Sequence, residues 1–156
     1  MFGNAGTQTR LIVPGLRGFY DSFTDIAYTL MRVVIGYNLF MHGWAKVTSQ
    51  AGVAGVAGYM AKLGLEPGTV FAYAAVFLET VGAVCLVIGL FTRFFAAALA
   101  IEIAIAFAVV HLPKGFTISN NNGGYEYVLL IGIVLLLVAI RGGGPYSVDR
   151  VVGREL

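Results

Sequence analysis

Four long apolar stretches, nearly free of charge, constrain this chain more than any other feature. They run Ile26–Ala45, Thr69–Phe91, Phe94–Leu112 and Tyr125–Ile140. At ~1.5 Å rise per residue, the first three as helices reach across a hydrocarbon core of about 30 Å. The fourth is shorter and has to thin the bilayer or borrow its apolar neighbours. Apolar and polar residues do not alternate with a period of two, which disfavours a transmembrane barrel. Hydrophobic residues make up 58% of the 156 and charged residues 12%, too few for a water-facing globule of this size. A soluble enzyme, a disordered linker and a nucleic-acid binder are thereby disfavoured, the last also by a net charge of only +2. The lone Cys85 leaves no intrachain disulfide and no Cys-x-x-Cys motif.

The expectation is an all-α integral membrane protein, a four-helix bundle forming a single domain over residues 1–156. Thr92-Arg93 leaves only a tight turn between the second and third helices. The longer connection 46–68 ends in Glu66-Pro67-Gly68 and places Val53, Val56, Tyr59, Met60 and Leu63 near helical spacing. That pattern predicts a short interfacial helix between the first two spans. Asn120-Asn121-Asn122-Gly123-Gly124 reads as a turn in water. The run Leu11-Ile12-Val13 is too short for a cleavable signal peptide, so residues 1–20 read as a cytoplasmic segment. One side receives Arg10, Arg17, Arg93, Arg141, Arg150 and Arg154, the other Lys46, Lys62 and Lys114. That excess of arginine predicts both termini in the cytoplasm of a multi-pass inner-membrane protein.

Polar side chains kept at membrane depth are the candidates for function, because a charge at a helix centre costs about 2.5–3.5 kcal/mol on insertion scales. Measured along each helix, Arg32 and Glu102 fall at similar depth and read as an ion pair, in the plainest case a staple between helices. Asn38 and Glu79 share a middle layer, either as a satisfied buried acid or as a carboxyl that handles protons. Toward the outer face, Asn38, His42 and Lys46 form an i, i+4, i+8 stripe. His111 and Glu126 reach that level from the third and fourth helices, although Glu102 and His111, nine residues apart, point to opposite faces of a straight helix. This outer layer is either an interfacial anchor or a ligand site. No close histidine pair with a third ligand supports a metal or haem centre, and the glycines at 52, 55 and 58 lack the context of a phosphate loop.

Several segments together resemble the DoxX family of small four-helix membrane proteins. They are Leu30-Met31-Arg32-Val33-Val34-Ile35-Gly36, His42-Gly43-Trp44-Ala45-Lys46, Glu79-Thr80-Val81-Gly82-Ala83 and Gly89-Leu90-Phe91-Thr92-Arg93. His111-Leu112-Pro113-Lys114-Gly115-Phe116, Gly123-Gly124-Tyr125-Glu126-Tyr127 and Gly144-Pro145-Tyr146-Ser147-Val148-Asp149 complete the set, in order, over about residues 20–150. The resemblance implies a loose link to quinone redox chemistry, since a related family supplies the membrane subunit of a thiosulfate:quinone oxidoreductase. It marks Arg32, His42, Lys46, Glu79 and Glu126 as recurrent polar positions.

Two functional readings follow. In one, the chain is a small accessory subunit of a larger respiratory or other electron-transfer complex, with Gly142-Gly143-Gly144 and the outer loops touching the partner. In the other, it is a quinone-interacting subunit: His42 or Lys46 bonds a quinone carbonyl, Glu79 or Glu126 handles the proton, and Phe40, Trp44 and Tyr125 pack the ring. No cofactor is fixed by the sequence beyond a quinone or a bound lipid.

Overall fold

A computed structural model describes residues 10–119 and 123–155. The Asn120-Asn121-Asn122 turn lies outside the described residues. The described chain is helical, with no strand: α1 (Arg17–Thr48), α2 (Gly52–Lys62), α3 (Gly68–Ile88), α4 (Thr92–Lys114), α5 (Glu126–Arg141) and α6 (Val148–Val152). Two of these, α3 and α4, are long and apolar enough to cross a membrane.

The core draws on four helices. Leu39 of α1, Ala83 and Leu86 of α3, Ala96 and Leu99 of α4, and Ile131, Leu135 and Val138 of α5 are buried together. The outward faces are also apolar, as in Leu30, Tyr37, Tyr73, Phe77, Ile101, Leu130 and Ile133. Charged Arg32 and Glu79, by contrast, are buried. Such an arrangement suits lipid on the outside, since a soluble monomer rarely exposes so continuous an apolar surface.

Helix α1 begins at Arg17, not near residue 26, and absorbs part of what reads as a cytoplasmic segment. Its first turns carry Asp21 and Asp25 among exposed Phe19, Tyr20 and Phe23, a mixture that helix geometry tolerates but hydropathy does not register. Along its length Tyr28, Arg32, Gly36, Leu39 and Gly43 are buried at spacings of three and four, which defines the inner face. Gly36 and Gly43 let α1 lie directly on α3. A Cβ on Gly43 would sit 2.7 Å from the backbone carbon and oxygen of Glu79, and one on Gly36 would sit 2.8 Å from a Val87 methyl.

The short helix expected between the first two apolar stretches is present as α2, which packs on α3. The tight turn between α3 and α4 is built on Gly89 (φ 73°) and Phe91 (φ 48°), both left-handed. Asp149 of α6 caps the new helix: its Oδ1 accepts from Phe91 N at 2.7 Å and its Oδ2 from Thr92 N at 2.9 Å. The segment after α5 therefore folds back onto the bundle. Gly142 O accepts the Tyr28 hydroxyl, and Ser147 Oγ caps α6 through Arg150 N.

Candidate functional site

Two helices depart from α geometry where the polar residues sit. Leu78–Gly82 of α3 and Phe107–His111 of α4 each form a π-helical turn, a local widening frequent at functional sites. The first carries Glu79. The second ends on His111, which lines one cavity, while Glu102, nine residues before it, lines another.

The centre of the site is an ion pair between Lys46 Nζ and Glu79 Oε2. The Glu79 side chain is 7% exposed and that of Lys46 29%. A helical side chain covers the turn N-terminal to its own Cα, so Lys46 lies over the level of Gly43, where α1 touches the Glu79 backbone. Depth measured at the Cα assigns the two residues to different layers, and side-chain reach brings them together. Asn38 is not the partner of Glu79. Its Oδ1 is buried with no hydrogen bond among the described residues.

The pair lines two cavities. The larger, about 670 Å³, is lined by His42, Lys46, Glu79 and His111, by Tyr59 and Met60 of α2, and by aliphatic walls from α4 and α5. The smaller, about 270 Å³, shares Lys46, Glu79 and Met60 and has Glu102 as its other charged residue. Glu102 forms no ion pair with Arg32: its Oε2 is buried without a hydrogen-bond partner among the described residues. Arg32, 1% exposed, instead donates through Nη1 to Leu86 O at 2.6 Å and Val87 O at 3.1 Å, and through Nη2 to Tyr146 O at 2.7 Å. A guanidinium there satisfies carbonyls that the end of α3 leaves open and opposes the negative end of its dipole.

The outer layer divides. His42 and His111 face the larger cavity, and His111 Nδ1 also contacts Gly123 O at 2.8 Å. Glu126 turns away, its Oε1 accepting from Ile118 N at 3.0 Å, so it anchors the connection before α5. Phe40 and Trp44 stack on one another, while Tyr125 packs against Phe107 and Phe116; none of the three lines the larger cavity. The ring surfaces at the cavity are Tyr59 and Tyr127. Sequence reading missed Tyr59 and Met60 as site residues, although the apolar face of α2 was their signal. Among the described residues no group of three His, Cys, Asp or Glu side chains is arranged to hold a metal ion.

The chain has relatives among known proteins. The DoxX family profile matches residues 27–112. An uncharacterised protein of Haemophilus influenzae is 32% identical over 83% of this chain and 93% of its own length, and a second from the same organism is 25% identical over 83% and 85%. Inner membrane protein YqjF of Escherichia coli is 28% identical over 84% of this chain and 95% of its own. No solved structure matches the chain. With more than half its length inside the family profile, and with buried charges at the positions where the resemblance lies, this chain is a membrane protein of the DoxX family.

Proposed function

We propose that the chain is a quinone-interacting subunit of a membrane electron-transfer complex, with the head group held in the cavity between α2 and the Lys46–Glu79 pair. The observation that carries this reading is an ammonium–carboxylate pair opening on a largely apolar space of about 670 Å³ that His42 and His111 also line. A few polar groups converging on apolar walls is the usual make-up of a small-molecule site. Lys46 has three donor hydrogens, so it can bond Glu79 and a ring carbonyl together. His42 supplies a second polar contact from the same helix face, and Tyr59 and Met60 cover the ring. A bound quinone supplies two-electron chemistry, and a partner subunit supplies the electrons. In the same proposal α1 and α5 span the bilayer beside α3 and α4, with both termini cytoplasmic.

Equilibrium binding of a short-tailed benzoquinone to the full chain in nanodiscs tests this. Specific, saturable binding that weakens about tenfold or more in Lys46→Met supports it, since a hydrogen bond to a charged donor contributes about 1.5–3 kcal/mol. No saturable binding, or identical binding by the variant, overturns it.

The accessory-subunit reading draws on a different observation. The first turns of α1 carry exposed Phe19, Tyr20 and Phe23, with Phe19 and Phe23 stacked at 4.7 Å, a surface suited to a protein neighbour. Loss of copurifying subunits in Phe19→Ser/Phe23→Ser, with quinone binding intact, favours that role.

A further inference from the structure

At the opposite end of the bundle, where α5 ends and α6 folds back, lies a cleft of about 450 Å³ that the reading above does not use. Three arginines line it, Arg141, Arg150 and Arg154, together with Gly144, Pro145, Gly153 and two carboxylates, Asp149 and Glu155. Both carboxylates are already committed. Asp149 gives its two oxygens to Phe91 N and Thr92 N. Glu155 gives Oε2 to Arg93 Nε at 2.6 Å and Oε1 to Gly143 N at 3.1 Å. Arg141 bonds Asp25 at 3.1 Å and stacks over the Tyr28 ring at 4.0 Å. Arg150 and Arg154 are exposed, and no carboxylate among the described residues pairs with either side chain. Among the described residues, the cleft thus offers guanidinium donors and no free carboxylate to match them.

The residues next to its lining in sequence are apolar and exposed: Val151 at 87% and Val152 at 62% lie between Arg150 and Gly153, Ile140 precedes Arg141, and Tyr146 follows Pro145. Guanidinium groups bordered by bare valines suit the boundary where head groups meet acyl chains. We propose that this cleft binds the head group of an anionic glycerophospholipid, its phosphate between Arg150 and Arg154 and its chains along Val151, Val152 and Ile140. Basic pockets at the ends of transmembrane helices take such head groups. Zwitterionic lipid fits poorly, because its ammonium would find both cleft carboxylates occupied. Free phosphate leaves these apolar residues without a counterpart.

The test uses the full chain in vesicles of phosphatidylcholine with a minor share of phosphatidylglycerol, extracted with detergent and weighed intact by native mass spectrometry. Retained phosphatidylglycerol is expected to be enriched about thirtyfold over phosphatidylcholine, from two arginines near the surface. Arg150→Gln/Arg154→Gln should abolish the enrichment. Arg17→Gln, at the same end but outside the cleft, should keep it. Thermal unfolding of the double variant in phosphatidylcholine alone should match the parent, since neither side chain has a partner to lose among the described residues. Enrichment that survives the double variant, or falls equally in Arg17→Gln, overturns the site in favour of a diffuse charge effect. Displacement of the lipid by inorganic phosphate at similar concentration overturns the lipid in favour of the free anion.

Discussion

The Lys46–Glu79 pair is unevenly buried, and that asymmetry makes a quantitative prediction. Glu79 sits on α3 with 7% of its side chain exposed, whereas Lys46 keeps 29% and lies two residues before the end of α1. Removing one member of a buried pair costs about 3–5 kcal/mol when the other charge is stranded. Lys46→Met strands the buried carboxylate and should cost about 3 kcal/mol, the low end of that range, because its partner is partly open to the cavity. Glu79→Gln strands a lysine that can extend toward the interface, so about 1 kcal/mol is expected. With both replaced no charge is left in hydrocarbon, and the loss should return to about 1 kcal/mol, a coupling of about 3 kcal/mol. Unfolding in mixed micelles, followed by the fluorescence of the single Trp44, measures all four proteins. Equal losses from the two single variants, or simple additivity in the double variant, would refute a buried carboxylate that depends on a half-exposed ammonium.

Other substitutions probe the surroundings of the pair. Gly43→Ala places a Cβ 2.7 Å from the Glu79 backbone and should cost about 1–3 kcal/mol by overpacking, read as a lower unfolding midpoint together with weaker quinone binding. Arg32→Met leaves the carbonyls of Leu86, Val87 and Tyr146 without their donor and should cost about 2–5 kcal/mol in the same unfolding assay, with Arg32→Lys recovering only part. Glu102→Gln should leave the unfolding midpoint unchanged or raise it, because its buried Oε2 has no hydrogen bond to lose among the described residues; a drop like that of Lys46→Met would count against the assignment.

Helices were more legible than partners. The spacing of Val53, Val56, Tyr59, Met60 and Leu63 located α2, and the apolar run ending at Ile140 located α5 to within a residue. The start of α1 was hidden because Asp21 and Asp25 interrupt the hydropathy while leaving the helix intact. Matching Arg32 to Glu102 looked for opposite charge at equal depth, but the guanidinium found backbone carbonyls, which every residue carries and no pattern marks. The π-helical turns at Glu79 and His111 likewise have no sequence signature here, yet both carry residues that line the larger cavity. The sequence marks both Lys46 and Glu79 as site residues, but their contact depends on the direction a side chain leans, which depth measured at the Cα omits.

The return of the segment after α5 also bears on the order in which the protein is made. Arg32 emerges early in synthesis, and its last acceptor, Tyr146 O, follows 114 residues later. Until then the guanidinium waits in a half-built bundle, and the turn before α4 waits for Asp149. A nascent chain stalled before residue 146 would thus hold its spans without their final latch, and a cell's membrane proteases would meet it in that state.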